Sequence, residues 1–154
     1  MRSFAKLRLA VPESPEYQRA RIDYLLERLS YSPYTFVRNG ETYSAARAAM
    51  HLKSKYALQS KGIHTPDDFI RKVASHSKKL GERYYLDQGK NKIYPLDELL
   101  ENELRLFDDL MSQTKIFESL LVHETATIRD SLKETGLKAE NDGRDPLQTQ
   151  EDHA

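Results

Sequence analysis

The sequence predicts a single soluble α+β domain in which helices outnumber strands. Two observations support this prediction: apolar residues recur at helical spacing in several segments, and a β-hairpin motif separates the first helix from the second. The 154-residue chain is long enough to bury one hydrophobic core. We therefore expect one or two short β-hairpins, three to four helices on one side of them, and a helical C-terminal extension.

The first helix and the hairpin have clear local signals. Residues 14–16, Ser-Pro-Glu, are typical of a helix start, because serine caps free amides, proline presets φ and glutamate faces the positive end of the helix dipole. The apolar positions that follow end near Leu29. Residues 39–40, Asn-Gly, then lie between β-branched and aromatic residues and supply the two positive φ angles that a two-residue hairpin turn requires.

Three more helices and a second strand pair follow. Ser44 caps a predicted helix over residues 45–60, and Thr65 with the proline after it opens another that we expect to end before Gly81. Residues 84–86 and 92–94 are the predicted second pair of strands. An apolar pattern from Leu96 to about Gly136 predicts a last helix of about 38 residues, which either folds back near residues 112–114 or projects.

These elements divide the chain into four predicted segments. They are a flexible N-terminus (1–13), a compact α+β domain (14–111), a helical extension (112–136) and a disordered acidic tail (137–154). Phe117, Leu121 and Ile128 give the extension too many apolar residues for a free arm in water, so we expect them to contact the core, a protein partner or a second copy. The apolar register shifts before Phe117, which argues against a long regular coiled coil.

Composition excludes several classes of site. The chain has no cysteine, so disulfides, thiol catalysis, iron–sulfur clusters and cysteine-rich zinc sites are excluded. No run approaches the roughly 20 apolar residues of a transmembrane segment, and no secretory signal is visible, so the compartment stays open between cytoplasm and envelope. The histidines show no metal-ligand spacing, and we expect no metal or other cofactor.

Charge is unevenly distributed although the net charge is zero. Residues 47–83 hold nine Lys/Arg and three Asp/Glu, whereas residues 84–136 hold six and eleven. Arg47, His51 and Lys55 are spaced four residues apart on the second helix, and Arg38 beside the hairpin turn is close to them if the hairpin packs there. We expect these four residues to contact an anionic polymer, a phosphate-bearing ligand or an acidic protein. Tyrosines do not alternate with Lys/Arg, so nucleic acid is not the expected partner.

The preferred interpretation is a non-enzymatic binding module, and two alternatives stay open. One is a hydrolase-like enzyme that uses His51 or His64 with Asp68 or Ser77. It requires these side chains to converge in a concave pocket. The other is a structural subunit of an assembly, which mass measurements at several concentrations would reveal.

A set of motifs resembles a known family. They are Phe36-Val37-Arg38-Asn39-Gly40, His51-Leu52, Ile63-His64-Thr65-Pro66-Asp67-Asp68-Phe69-Ile70, Val73-Ala74-Ser75-His76-Ser77, Gly81 and Tyr84. In this order and spacing they resemble the YfeK-like family of small bacterial proteins over roughly residues 17–106. The resemblance implies a compact domain, usually exported to the envelope, with no assigned activity or cofactor. Family members often carry cysteines near the hairpin and the second helix start, where this chain has residues 33–34, Pro-Tyr, and 44–45, Ser-Ala.

Overall fold

The computed structural model describes residues 2–136 and confirms the α+β class. The predicted acidic tail, residues 137–154, lies outside the described residues. In chain order, the described elements are α1 (Arg2–Leu9), α2 (Pro15–Ser30), β1 (Thr35–Arg38), β2 (Glu41–Ser44), α3 (Ala45–Gln59), a 3-10 turn (Ser60–Gly62), α4 (Pro66–Lys72), β3 (Tyr85–Asp87), β4 (Ile93–Pro95) and α5 (Leu96–Glu134).

The N-terminal segment differs from the flexible chain expected over residues 1–13. It contains α1, and Leu7 on this helix is only 2% exposed. The carboxylate of Glu27 on α2 accepts hydrogen bonds from the backbone amides of Arg2 and Ser3, each at 3.3 Å. These bonds satisfy amides that a helix start otherwise leaves free. No local motif announces this cap, because its acceptor lies on another helix.

The two predicted hairpins join into one antiparallel sheet with the strand order β2-β1-β3-β4. The turn between β1 and β2 has φ of 51° at Asn39 and 75° at Gly40, as the Asn-Gly motif predicts. The hairpins meet through β1 and β3, where Phe36 lies opposite Leu86. Both side chains are buried in the core, together with apolar residues of α2, α3, α4 and the start of α5.

The caps of helices α3 and α4 follow the sequence. Ser44 accepts a hydrogen bond from the amide of Arg47, and Thr65 accepts one from the amide of Asp68. Helix α4 ends at Lys72, which is before Gly81 as predicted. Beyond it, the carbonyl of Val73 accepts a hydrogen bond from the Lys55 ammonium at 2.7 Å, a long-range contact that local sequence does not reveal.

Helix α5 runs from Leu96 to Glu134 as one helix, which agrees with the predicted length of about 38 residues. The chain divides into two compact units, Met1–Leu110 and a second unit that begins at Met111. In the second unit Phe117, Leu121 and Ile128 are exposed, so their contact with a partner stays a prediction. No helix among the described residues has the length and apolar character needed to cross a membrane.

Candidate functional site

Arg38 is held at the end of a strand beside a tight turn. It is the last residue of β1 and lies opposite Glu41 of β2. Its side chain lines two cavities, and its Nε atom is buried without a hydrogen-bond partner in the described part of the chain. A buried donor without an acceptor is uncommon in native proteins, and it indicates a site that a ligand or water completes.

Helix α3 places three further nitrogen-bearing side chains at intervals of about one turn. Arg47 lies in the first turn and its guanidinium stacks over the Tyr43 ring, 5.3 Å from the ring centroid. The Tyr43 hydroxyl donates to Glu41, and this bond raises the pKa of Tyr43. The Tyr43 ring therefore supports Arg47 on one face, as a cation–π contact does.

Two cavities beside the hairpin and α3 share lining residues. The first has a volume of about 180 Å³, and the second has a volume of about 280 Å³. Arg38 and His51 line both cavities. The first is otherwise lined by Phe36, Tyr43, Arg47 and Ala48, and the second by Ser54, Lys55, Leu58, Gln59, Lys78, Lys79 and Tyr84.

His51 is partly buried and its Nε2 atom has no hydrogen-bond partner among the described residues. Its ring meets Tyr84 edge-on, with the ring centroids 6.5 Å apart. Burial lowers the pKa of His51, and the positive charges of Arg38 and Lys55 lower it further. The imidazole is therefore neutral near pH 7, and an anion bound beside it would favour the protonated form.

Lys55 lies in the core and not on the solvated flank of α3 that the sequence predicted. It is 8% exposed, and its ammonium donates to the carbonyls of Val73 and His76 at 2.7 Å each. The third donor reaches the Tyr84 hydroxyl at 3.4 Å. Burial lowers the pKa of Lys55 to about 8, with smaller contributions from Lys78 and Arg38. All three donors are thus engaged within the protein, so Lys55 shapes the site and adds charge to it.

The electrostatics of this site are one-sided. Among the ion pairs of the described residues, none involves Arg38, Arg47 or Lys55. Lys78 and Lys79 add two more positive charges at the second cavity. Because no ion pair of the described residues neutralises these side chains, their field favours an anionic ligand.

Among the described residues, no hydrogen bond joins the imidazole of His51 or His64 to Asp68 or Ser77. Asp68 accepts a hydrogen bond from the backbone amide of His64 and forms ion pairs with Arg71 and Lys72. Its pKa is lowered to about 2, chiefly by the bond from His64. Asp68 thus caps α4, and in the described chain none of its bonds goes to an imidazole.

The serines near His76 are not arranged as nucleophiles. The Ser75 hydroxyl donates to the carbonyl of Arg71, so it accepts from Nδ1 of His76 at 2.7 Å. Ser77 is 1% exposed, and its hydroxyl has no partner in the described part of the chain. Within residues 2–136, no group of three or more His, Asp or Glu side chains is placed to hold a metal ion.

Sequence reasoning named Tyr84 among the family motifs but did not place it in the candidate site. Tyr84 is 1% exposed; its ring packs 5.2 Å from Phe36, centroid to centroid, and its hydroxyl reaches Lys55. Burial raises the pKa of Tyr84. Its sequence context suggested an ordinary strand residue. Only its fixed spacing within the family motifs singled it out.

Comparison with known proteins places these elements in a family. A family model described as "Family of unknown function (DUF5329)" matches residues 16–108. The chain belongs to the DUF5329 family. It is also 38% identical over 69 residues to "Uncharacterized protein YfeK" of Salmonella typhimurium strain LT2, and the match covers 44% of this chain and 58% of that relative. These findings confirm the predicted resemblance. No solved structure matches the chain.

The candidate site lies within the DUF5329 segment. Arg38, Arg47, His51, Lys55 and Tyr84 all fall between residues 16 and 108. The exposed apolar residues of the second unit lie beyond it. The chain spans a little over half the length of the matched Salmonella protein.

Proposed function

We propose that this DUF5329 domain is a non-enzymatic binding module that holds an anionic group between Arg38, Arg47 and His51. The observation that carries the proposal is the pair of buried, unpartnered nitrogens, Nε of Arg38 and Nε2 of His51, which belong to side chains lining the same two cavities. Leaving such a group unsatisfied costs about 1–3 kcal/mol. An anion that accepts hydrogen bonds from both would recover that free energy.

The three side chains have complementary roles in this proposal. The planar guanidinium of Arg38 suits the two oxygens of a carboxylate or phosphate group. Arg47, supported by Tyr43, provides a second guanidinium at the wall of the first cavity. His51 adds a hydrogen bond, and its charge increases when the anion is bound. Lys55, Lys78 and Lys79 contribute positive potential without direct contact.

The cavity volumes restrict the size of the recognised group. Drug-sized ligand pockets are typically about 300–1,000 Å³. The first cavity, about 180 Å³, suits a single phosphate or carboxylate group. The remainder of a larger ligand would extend into the second cavity, where Leu58 and Tyr84 offer apolar surface. The proposed ligand is therefore an organic or polymeric anion with one group seated in the first cavity.

Titration with inorganic phosphate, followed by amide and imidazole NMR shifts, tests the proposal. We expect the largest shifts at Arg38, Arg47 and His51, and an affinity that falls as salt rises, because salt screens exposed charges. Arg38→Gln should weaken phosphate binding by about tenfold or more, which corresponds to about 1.4 kcal/mol. Lys53→Gln is the matched control, since it removes one charge from an exposed position of α3 that lines neither cavity.

Polyphosphate and a short-chain carboxylate form the other two arms of the experiment. Tighter binding of polyphosphate than of phosphate, with the same variants affected, would identify a polymer as the ligand class. A preference for the carboxylate would identify an organic acid. Equal responses of Arg38→Gln and Lys53→Gln to every probe would show that the site is an ordinary solvated surface.

A further inference from the structure

The second unit contains an apolar repeat in α5. Phe117 and Leu121 are four residues apart, and Ile128 and Leu132 repeat the same pair eleven residues later. Eleven residues complete three turns at 3.67 residues per turn, so the two pairs lie on one face of the helix. We call these four residues the α5 stripe. They are between 45% and 62% exposed, which is unusual for a face of this size.

We propose that the α5 stripe is a self-association surface whose occupant is the same stripe of a second copy, packed parallel and in register. A two-fold interface pairs one patch with itself, so an apolar stripe can be buried by its own copy. In the parallel arrangement each stripe residue meets its equivalent, and the stripe forms four successive apolar layers. The eleven-residue period favours nearly straight or slightly right-handed packing and not a heptad coiled coil.

The charges beside the stripe favour the second copy and this orientation. Glu124 lies on one side of the stripe and Arg129 on the other, five residues further along. Opposite flanks of parallel helices face each other, so Glu124 of each copy would meet Arg129 of the other, twice per dimer. Neither side chain has an ion-pair partner among the described residues.

An antiparallel copy fits the same face less well. Aligning Phe117 with Leu132 and Leu121 with Ile128 would bring the two Glu124 carboxylates together near the two-fold axis. Like charges placed directly opposite each other across an interface are unfavourable. The charge pattern therefore distinguishes the two orientations, although both would cover the apolar residues.

Sedimentation equilibrium of the full chain over a wide concentration range tests the association. We expect a reversible monomer–dimer equilibrium. Phe117→Glu or Ile128→Glu should weaken the dimer by about a hundredfold or more, since a buried charge without a partner replaces apolar contact. Val122→Glu is the matched control, because Val122 is 68% exposed on the same helix but lies outside the stripe. A monomer at every concentration, or equal effects of the stripe and control variants, would overturn the proposal.

A charge exchange tests the orientation. Glu124→Arg and Arg129→Glu should each weaken the dimer about tenfold, and the double variant should restore it. Lys133→Glu, which makes the same charge change away from the stripe, should leave association unchanged. Failure of the double variant to rescue would contradict the pairing of Glu124 with Arg129.

Engineered cysteines provide an independent readout, because the chain has no cysteine of its own. Leu121→Cys and Ile128→Cys should each form a disulfide with their own equivalent under mild oxidation, since parallel packing brings equivalent positions together. Val122→Cys should not. Disulfides that form only in a mixture of Leu121→Cys and Ile128→Cys chains would show antiparallel packing and refute the parallel dimer. The dimer proposal stands independently of anion binding, since its residues lie outside both cavities.

Discussion

Two regions of the unit Met1–Leu110 differ in whether their arginines form ion pairs. Where α5 begins, Arg83 forms ion pairs with Asp97 and Glu98, both at about 3 Å. Nearby on α2, Arg28 donates to Glu103 at 2.7 Å. The candidate site, which we call the hairpin–α3 site, contains Arg38, Arg47, His51 and Lys55. There, by contrast, Arg38 and Arg47 have no carboxylate within ion-pair distance in the described chain. One region is electrostatically balanced, and the other keeps an unbalanced field.

Under the proposed function, this difference separates residues that hold the fold together from residues that bind an anion. The ion pairs of the α5 region connect residues 14 to 75 positions apart, and each partly exposed pair stabilises the folded state only slightly. The unsatisfied buried nitrogens and the clustered positive charges of the hairpin–α3 site lower the stability of the folded state. Functional sites often carry such a cost, because they are selected for binding and not for stability. Lys55 belongs to both groups, because it bonds core carbonyls and also lines the second cavity of the site.

Lys55→Met should produce the largest loss of stability in this comparison. The change leaves the carbonyls of Val73 and His76 buried without their donor, and we expect a loss of about 3 kcal/mol in the free energy of unfolding. Urea unfolding followed by circular dichroism measures it. Lys53→Met, at an exposed position on the same helix, should stay within about 0.5 kcal/mol of the parent chain. Equal stability of the two variants would place Lys55 in the binding role that its spacing first suggested.

The titration of Lys55 should also make the free energy of unfolding depend on pH. The folded pKa of Lys55 is about 8, below its unfolded value of 10.5. The unfolded state therefore binds more protons between these values, and stability rises with pH across this window. We expect a rise of at most about 3 kcal/mol, because each pKa unit between the folded and unfolded values corresponds to 1.36 kcal/mol. Lys55→Met should remove this rise when unfolding is measured at a series of pH values; its persistence in the variant would assign it to another group.

Glu103→Gln tests the balanced region. Glu103 accepts hydrogen bonds from the Tyr24 hydroxyl and from Nε of Arg28, both at 2.7 Å. Arg28 is partly exposed, so solvent screens the pair and we expect a loss of only about 1 kcal/mol in the free energy of unfolding. The variant should also reduce the pKa of Tyr24, which burial and the Glu103 bond raise to about 12. Ultraviolet titration of tyrosine checks this second effect, and an unchanged Tyr24 pKa would contradict the bond.

Much of the fold was predictable because its signals are local. The Asn39–Gly40 turn and the caps at Ser14, Ser44 and Thr65 each depend on side chains a few residues apart. What local sequence could not supply depends on distant contacts. The environment of Lys55 depends on bonds that span 18 to 29 residues. For the candidate site, spacing indicated Arg38, Arg47 and His51, but tertiary packing decided which nitrogens lie buried and unpartnered.

His51→Gln should have the smallest effect on stability, and for that reason it sharpens the comparison most. Since Nε2 of His51 makes no hydrogen bond among the described residues, replacing the ring loses its edge contact with Tyr84 and some partly buried surface, and we expect a change within about 0.5 kcal/mol. If the nitrogen is kept for an anion, the same change should abolish most of the stabilisation that added phosphate gives the parent chain. Thermal unfolding with and without phosphate measures both quantities on one sample. A large stability loss with an unchanged response to phosphate would show that His51, like Lys55, has a structural role. A small stability loss together with a lost response to phosphate would identify His51 as a binding residue.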